Sequence, residues 1–144
     1  MRICKIFLTV PFLWYRIKQF NDWHNMTYQR KIGNLGEEIA AKYLIDQGFQ
    51  LIDKNYTTRY GELDLIMMES GSVVIVEVKT RTSDKFGTPE SSITEEKLER
   101  LEKAALLWFQ DHPEVADDWR IDVIAISLDR QKNVRDLQHF MSVQ

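Results

Sequence analysis

The segment GELDLIMMESGSVVIVEVKTR, Gly61 to Arg81, constrains the fold more than any other stretch of the chain. Two runs rich in Leu, Ile, Met and Val flank a small Ser-Gly turn, the pattern of a β-hairpin with buried faces. Four charged residues, Glu62, Asp64, Glu77 and Lys79, interrupt these strands. An unpaired carboxylate is costly to bury, so each acid here needs water, a cation or a hydrogen-bond donor.

Side chains alternate faces along a strand, so Glu62 shares a face with Asp64, and Glu77 with Lys79. With Ser70-Gly71 as a two-residue loop, Glu69 pairs with Ser72, Ile66 with Ile75 and Asp64 with Glu77, and Glu62 falls opposite Lys79. With Gly71-Ser72 as the loop, Asp64 faces Lys79 instead. The charged residues share a face in both registers, and only an odd-length loop or a bulge would separate them. Directly opposed residues have Cβ atoms about 4.5–5.5 Å apart, a separation at which like charges are destabilising. Two such acids form a cage for a divalent cation, and oxygen donors without a nearby Cys or His select Mg²⁺ or Mn²⁺. The competing reading is a solvated charged face on which Lys79 neutralises Glu77 or Glu62.

The rest of the chain reads as one α/β domain around this hairpin. Helical spacing of Leu35, Ile39, Ala40, Tyr43 and Leu44 predicts a helix over Gly33 to Phe49, with Gly48 as its stop. FQLID comes next as a short strand, and NYTTRYG connects it to the hairpin. A polar loop from Thr82 contains Gly87 and Pro89. Ser92 and Glu95 make a capping box for a second helix carrying Leu98, Leu101, Ala105 and Trp108, which ends near Pro113. WRIDVIAISL is a mostly buried strand in which Arg120 and Asp122 form an ion pair, and NVRDLQHFM is an edge strand.

Composition excludes several classes. A net charge of -3 over 144 residues is not that of a protein that coats nucleic acid, although a local basic groove is compatible with it. One cysteine, Cys4, permits no intrachain disulfide and no cysteine zinc cluster, and it suits a reducing cytoplasm. The three histidines, His24, His112 and His139, are too scattered for a helical zinc pair. No glycine-rich nucleotide-binding loop occurs.

Residues 1–25 are more apolar and aromatic than the remainder of the chain. Their apolar run, broken by Pro11, is too short for a membrane-spanning helix, and no cleavage site of small residues comes after it, so stable membrane insertion is not expected. An amphipathic surface segment, or an interaction helix of a scaffold protein using Trp14, Tyr15, Phe20 and Trp23, is the alternative to reading Met26 as the start. The division is therefore an N-terminal extension, 1–25, and a folded domain, 26–144.

A third acid comes from the first helix. Glu37 shares a face with Ala40, Ala41 and Leu44 and so points near the core, whereas Glu38 lies beside Lys42 as a surface pair. The order G-x-x-G-E-x-x-A-x-x-Y-L, G-F, N-Y, G-E-L-D-L-I, V-E-V-K-T-R, F-G-T-P and K-L-E-R-L-x-x-A, between about Gly33 and Leu128, resembles the YraN family. These are small bacterial proteins expected to carry the restriction-endonuclease-like PD-(D/E)xK fold, a mixed β-sheet flanked by helices. The hairpin and its helical Glu are also similar to the archaeal Holliday junction resolvases. Two departures are Thr57, where the family often has a basic residue (a role open to Arg59), and the long N-terminal extension.

The resemblance implies a metal-dependent nuclease. Asp64, Glu77 and Glu37, with the backbone carbonyl of Val78, would hold Mg²⁺ or Mn²⁺. Lys79 would position the attacking water, and Glu62 would orient Lys79. Arg59, Arg81, Lys85 and Lys97, with Arg100, would hold phosphates, though Glu95, Glu96 and Glu99 interleave with the last two as on a solvated face. The expected partner is nucleic acid, DNA ahead of RNA, with a homodimer suited to cutting both strands. A non-catalytic nucleic-acid-binding module on the same fold is the alternative.

Overall fold

The computed structural model describes residues 26–82, 93–115 and 118–143. The N-terminal extension, the F-G-T-P motif, Lys85 and Ser92 lie outside them. Residues 26–31 belong to a separate small unit, and the fold is that of residues 32–143.

Helix α1 (Tyr28–Asp46) is followed by β1 (Gln50–Thr58), β2 (Gly61–Glu69) and β3 (Ser72–Arg81), then by α2 (Glu95–Asp111), β4 (Trp119–Leu128) and β5 (Val134–Phe140). The strands form one sheet in the order β1-β2-β3-β4-β5. The pairs β1-β2, β2-β3 and β4-β5 are antiparallel, and β3-β4 is parallel, with α2 in the crossover. This five-stranded mixed sheet with two helices is the architecture of a restriction-endonuclease-like core. Among the described residues no helix is long and apolar enough to cross a membrane.

Alternation along β3 sorts the interior into two layers. Val74 and Val76 pack with Ala40 and Leu44 of α1, and with Leu65, Met67 and Ile124. Val73 and Ile75 pack with Leu101, Ala104, Ala105 and Trp108 of α2. Because successive side chains point to opposite faces, the sheet is buried on both sides, which is why β3 and β4 read as nearly continuous apolar runs.

Three boundaries differ from the sequence reading. Helix α1 begins earlier, at Tyr28, where Thr27 Oγ1 accepts the Arg30 N–H at 3.3 Å. The strand predicted over FQLID continues through NYTT to Thr58, with a register shift between Leu51 and Asp53 and Asn55 at φ 53°. The N-cap of α2 is Thr94, whose side chain accepts the Lys97 N–H, so the helix starts after the proposed Ser92 cap. Gly48, with φ 96°, ends α1 as predicted, in a conformation that a Cβ disfavours. Lys42 pairs with Asp46 at 2.7 Å and not with Glu38.

Gly36 sets how closely α1 approaches the sheet. A Cβ there would lie 1.7 Å from Thr80 Oγ1, whereas one on Gly33 would meet nothing within 4 Å. The two glycines of G-x-x-G-E therefore do different things. Gly36→Ala is expected to lose about 1–3 kcal/mol through overpacking. Gly33→Ala is expected to gain up to ~1 kcal/mol from helix propensity. Urea unfolding of both variants checks the contrast, and equal effects would contradict it.

Candidate active site

The hairpin register is the one expected for the Ser70-Gly71 loop. Glu69 pairs with Ser72, Met68 with Val73, Ile66 with Ile75 and Leu65 with Val76. The ladder stops there, one step before Asp64 and Glu77 would meet. Asp64 Oδ2 instead accepts the Val78 N–H at 2.7 Å, so a side chain takes the place of a backbone partner where the strands part. Backbone N–H and C=O groups of one strand residue face the same neighbour, so the Val78 carbonyl is directed toward this fork as well.

Alternation on β2 slips at the same point. Leu65 and Met67 belong to the α1-side core, yet Leu63 joins the α2-side core with Ile66. The slip lies across from Asn55, whose positive φ bends β1. Glu62, expected opposite Lys79, is exposed and pairs with Thr57 of β1. The β2-β3 pairing ends at Leu65 and Val76, so Glu62 and Lys79 are not paired across the ladder.

Glu77 falls on the α2 face of β3 and is only 2% exposed. Its Oε1 accepts from Lys79 Nζ at 2.6 Å, and Lys97 Nζ of α2 lies 3.1 Å from Oε2. That second contact is an ion pair without an aligned hydrogen bond, and Oε2 is left buried without a donor directed at it. Glu37 is half-buried, while Glu38 is exposed, as the helix face predicted. Glu37 Oε2 accepts from Asn55 Nδ2 at 2.7 Å. Asn55 was legible only as half of the N-Y pair, and its link to Glu37 was not.

Electrostatics bind these groups into one cluster. Burial, and next to it the charge of Glu77, pushes the Asp64 carboxyl up to about 7; Glu37 adds to the rise, and the Val78 N–H and Lys97 oppose it. Asp64 thus feels Glu37, Glu77 and Lys97 together, although they come from α1, β3 and α2. Among the described residues, however, no three His, Cys, Asp or Glu side chains converge closely enough to hold a metal as they stand. Asp64, Glu37 and Glu77 are instead turned toward Val78, Asn55 and the two lysines.

The proposed phosphate ligands are distributed around this cluster. Lys97 contacts Glu77 directly, which the sequence did not indicate. With Arg100, Tyr60 and Glu62 it also lines a cleft of about 150 Å³. The Arg59 guanidinium lies over the Tyr60 ring at 4.9 Å. Arg81 ends β3, paired in register with Ser127. A larger cavity, about 350 Å³, opens beside Glu37 and Asn55 between α1 and β1.

The raised Asp64 carboxyl predicts how the metal-free protein responds to pH. Stability from holding Asp64 protonated is fully present below its ordinary value of 3.8 and is lost as pH rises through about 7. Asp64→Asn keeps an acceptor for Val78 without the charge. It is therefore expected to melt ~3–6 °C above the wild type at pH 8, with the gap closing toward pH 4. Thermal melts across that range check this, and a variant less stable at pH 8 would contradict it.

Comparison with known proteins agrees with the sequence motifs. The pattern of the uncharacterised protein family UPF0102 matches residues 36–126, which span every element of the site. A UPF0102 protein of Syntrophomonas wolfei is 41% identical over 104 residues, covering 72% of this chain and 90% of its own length. One from Clavibacter michiganensis is 44% identical over 101 residues, 70% of this chain and 86% of its own. One from Vibrio parahaemolyticus is 39% identical over 115 residues, 79% and 94% respectively. The chain belongs to the UPF0102 family, which is the YraN family.

Proposed function

We propose that this protein is a metal-dependent nuclease that hydrolyses phosphodiester bonds in nucleic acid, DNA in preference to RNA. The observation that carries the reading is the buried Glu77 carboxylate, with one oxygen lacking a directed donor, beside an Asp64 whose carboxyl is raised by burial and then by the Glu77 charge. Such an excess of hard oxygen donors fits Mg²⁺ or Mn²⁺. Asp64, Glu77 and Glu37, with the Val78 carbonyl, would hold the ion. Once bound, it would neutralise charge on the reacting phosphate and lower the pKa of a water.

The chain's own groups supply the rest. Lys79, tethered to Glu77 and 33% exposed, can turn its ammonium to an attacking water or to a phosphate oxygen. The Val78 N–H holds the Asp64 carboxylate where β2 and β3 part, and Asp64, Glu37 and Glu77 would turn toward one another when the site fills. Asn55 of β1 anchors the Glu37 carboxylate, which would turn from it to reach the ion. Arg59, Arg81 and Lys85 are the proposed contacts for flanking phosphates, whereas exposed Glu62 belongs to the rim of the cleft and not to Lys79. Cutting both strands of a duplex would take two copies of the chain. A cytoplasmic setting suits the lone cysteine.

A binding module without chemistry is the second reading. It is favoured by one observation, the two ammonium groups already on Glu77. A panel of labelled duplexes, flaps, junctions and RNAs, incubated with Mg²⁺, Mn²⁺ or EDTA, separates the two. The nuclease reading expects cleavage that needs the metal and falls ~100-fold or more in Glu77→Ala, Asp64→Asn and Lys79→Ala. Salt-sensitive binding with no cleavage under any metal would support the module instead.

A further inference from the structure

We propose that Lys97 occupies the cation position of Glu77 in the metal-free protein and moves to a substrate phosphate when a divalent ion takes its place. The inference rests on the nuclease reading and deepens it, because it couples metal binding to nucleic-acid binding through one side chain.

The two lysines on Glu77 are not equivalent. Lys79 lies two residues along the same strand, and its ammonium makes a 2.6 Å hydrogen bond to Oε1. Lys97 comes from a different element, reaches Oε2 at 3.1 Å, and makes no aligned hydrogen bond to it. Glu77 is 2% exposed, so Oε2 requires a positive charge but has only a poorly directed one. A divalent ion supplies twice the charge at shorter range. It would therefore take Oε2 from Lys97, the weaker partner, and leave Lys79 in place.

Once released, Lys97 has a destination. It sits in the first turn of α2, next to the cleft rather than beneath it in the core. Its side chain already borders the cleft shared with Tyr60 and Arg100, and 29% of it is open to solvent. An ammonium lifted from Glu77 into that cleft meets a phosphodiester oxygen with Arg100 alongside. Metal and nucleic acid would then each strengthen the binding of the other, as linkage requires.

The test uses the full chain and Mn²⁺, with binding followed by electron paramagnetic resonance. Lys97→Met removes the competing charge and is expected to bind Mn²⁺ about five-fold or more tightly than the wild type. Lys103→Met, on the exposed part of α2 where Lys103 pairs with Glu99, is expected to match the wild type. A phosphorothioate duplex followed by fluorescence anisotropy should bind the wild type about five-fold or more tightly with Mn²⁺ than without, and Lys97→Met should lose most of that gain. In the unmodified protein, acylation of the Lys97 amine followed by mass spectrometry should be faster with Mn²⁺ than without, which keeps the inference testable if the variant folds poorly. Mn²⁺ binding that is equal in wild type and Lys97→Met, or Lys97 labelling that Mn²⁺ leaves unchanged, would overturn the exchange while leaving the metal site intact. No Mn²⁺ binding by either protein would overturn both.

Discussion

Glu77 is the constraint around which one end of the molecule is arranged. A carboxylate at 2% exposure on the strand that joins the hairpin to the parallel pair carries a desolvation cost of several kcal/mol. The fold meets that cost with two ammonium groups from different elements and with an opening of the β2-β3 ladder that leaves Asp64 half-buried. The same opening frees the Val78 N–H for Asp64, and Asn55 at positive φ turns toward Glu37. Had the ladder continued, Asp64 and Glu77 would face each other as a like-charged pair and Val78 would be committed to β2.

A second buried acid shows what a satisfied carboxylate looks like in this protein. Asp122 is 0% exposed, and burial alone would raise its carboxyl. Hydrogen bonds from His139, Arg120 and the Ser142 N–H outweigh that and hold it below the usual carboxylate range. Arg120 is itself shared with Glu69 at 2.7 Å, so this network ties the β2-β3 turn to β4 and β5. Every acceptor there has a donor, as expected for a structural polar network. The Asp64-Glu77 cluster differs in kind: its charges repel, one oxygen lacks a directed donor, and its cations come from flexible lysine stems.

Much of this was legible in the sequence, and the reasons differ by element. Helix α2 and strand β4 emerged from apolar periodicity because each buries a continuous surface. Of the two hairpin registers open in the sequence, the one with the Ser70-Gly71 loop is formed, with Gly71 at φ 88° and Ser70 at φ 50°. The inward face of Glu37 and the Arg120-Asp122 pair came from spacing alone. What periodicity could not supply was the slip at Asp64. A count of alternating positions assumes an unbroken ladder, so it placed Glu62 beside Lys79, when the β2-β3 pairing ends at Leu65 and Val76. The Lys97-Glu77 contact was hidden for another reason: the partners are about twenty residues apart on different elements, and local charge patterning left Lys97 open between a phosphate contact and the solvated face of α2.

The position of the lysines also makes the proposed polyanionic substrate compatible with a net charge of -3. Long-range attraction depends on where charge lies, and here cationic groups gather at the fork. Lys79 and Lys97 meet at Glu77, Lys97 and Arg100 border the cleft with Tyr60, and Arg59 covers the Tyr60 ring. Two of these cations face the Glu77 carboxylate, which offsets part of the attraction they exert on a phosphate. On the proposed reading, a divalent ion bound among the acids would reverse that balance, because it would both add positive charge and release the lysine it displaces. A site built this way would discriminate against nucleic acid until it is loaded, because its own acids hold its cations until the metal arrives.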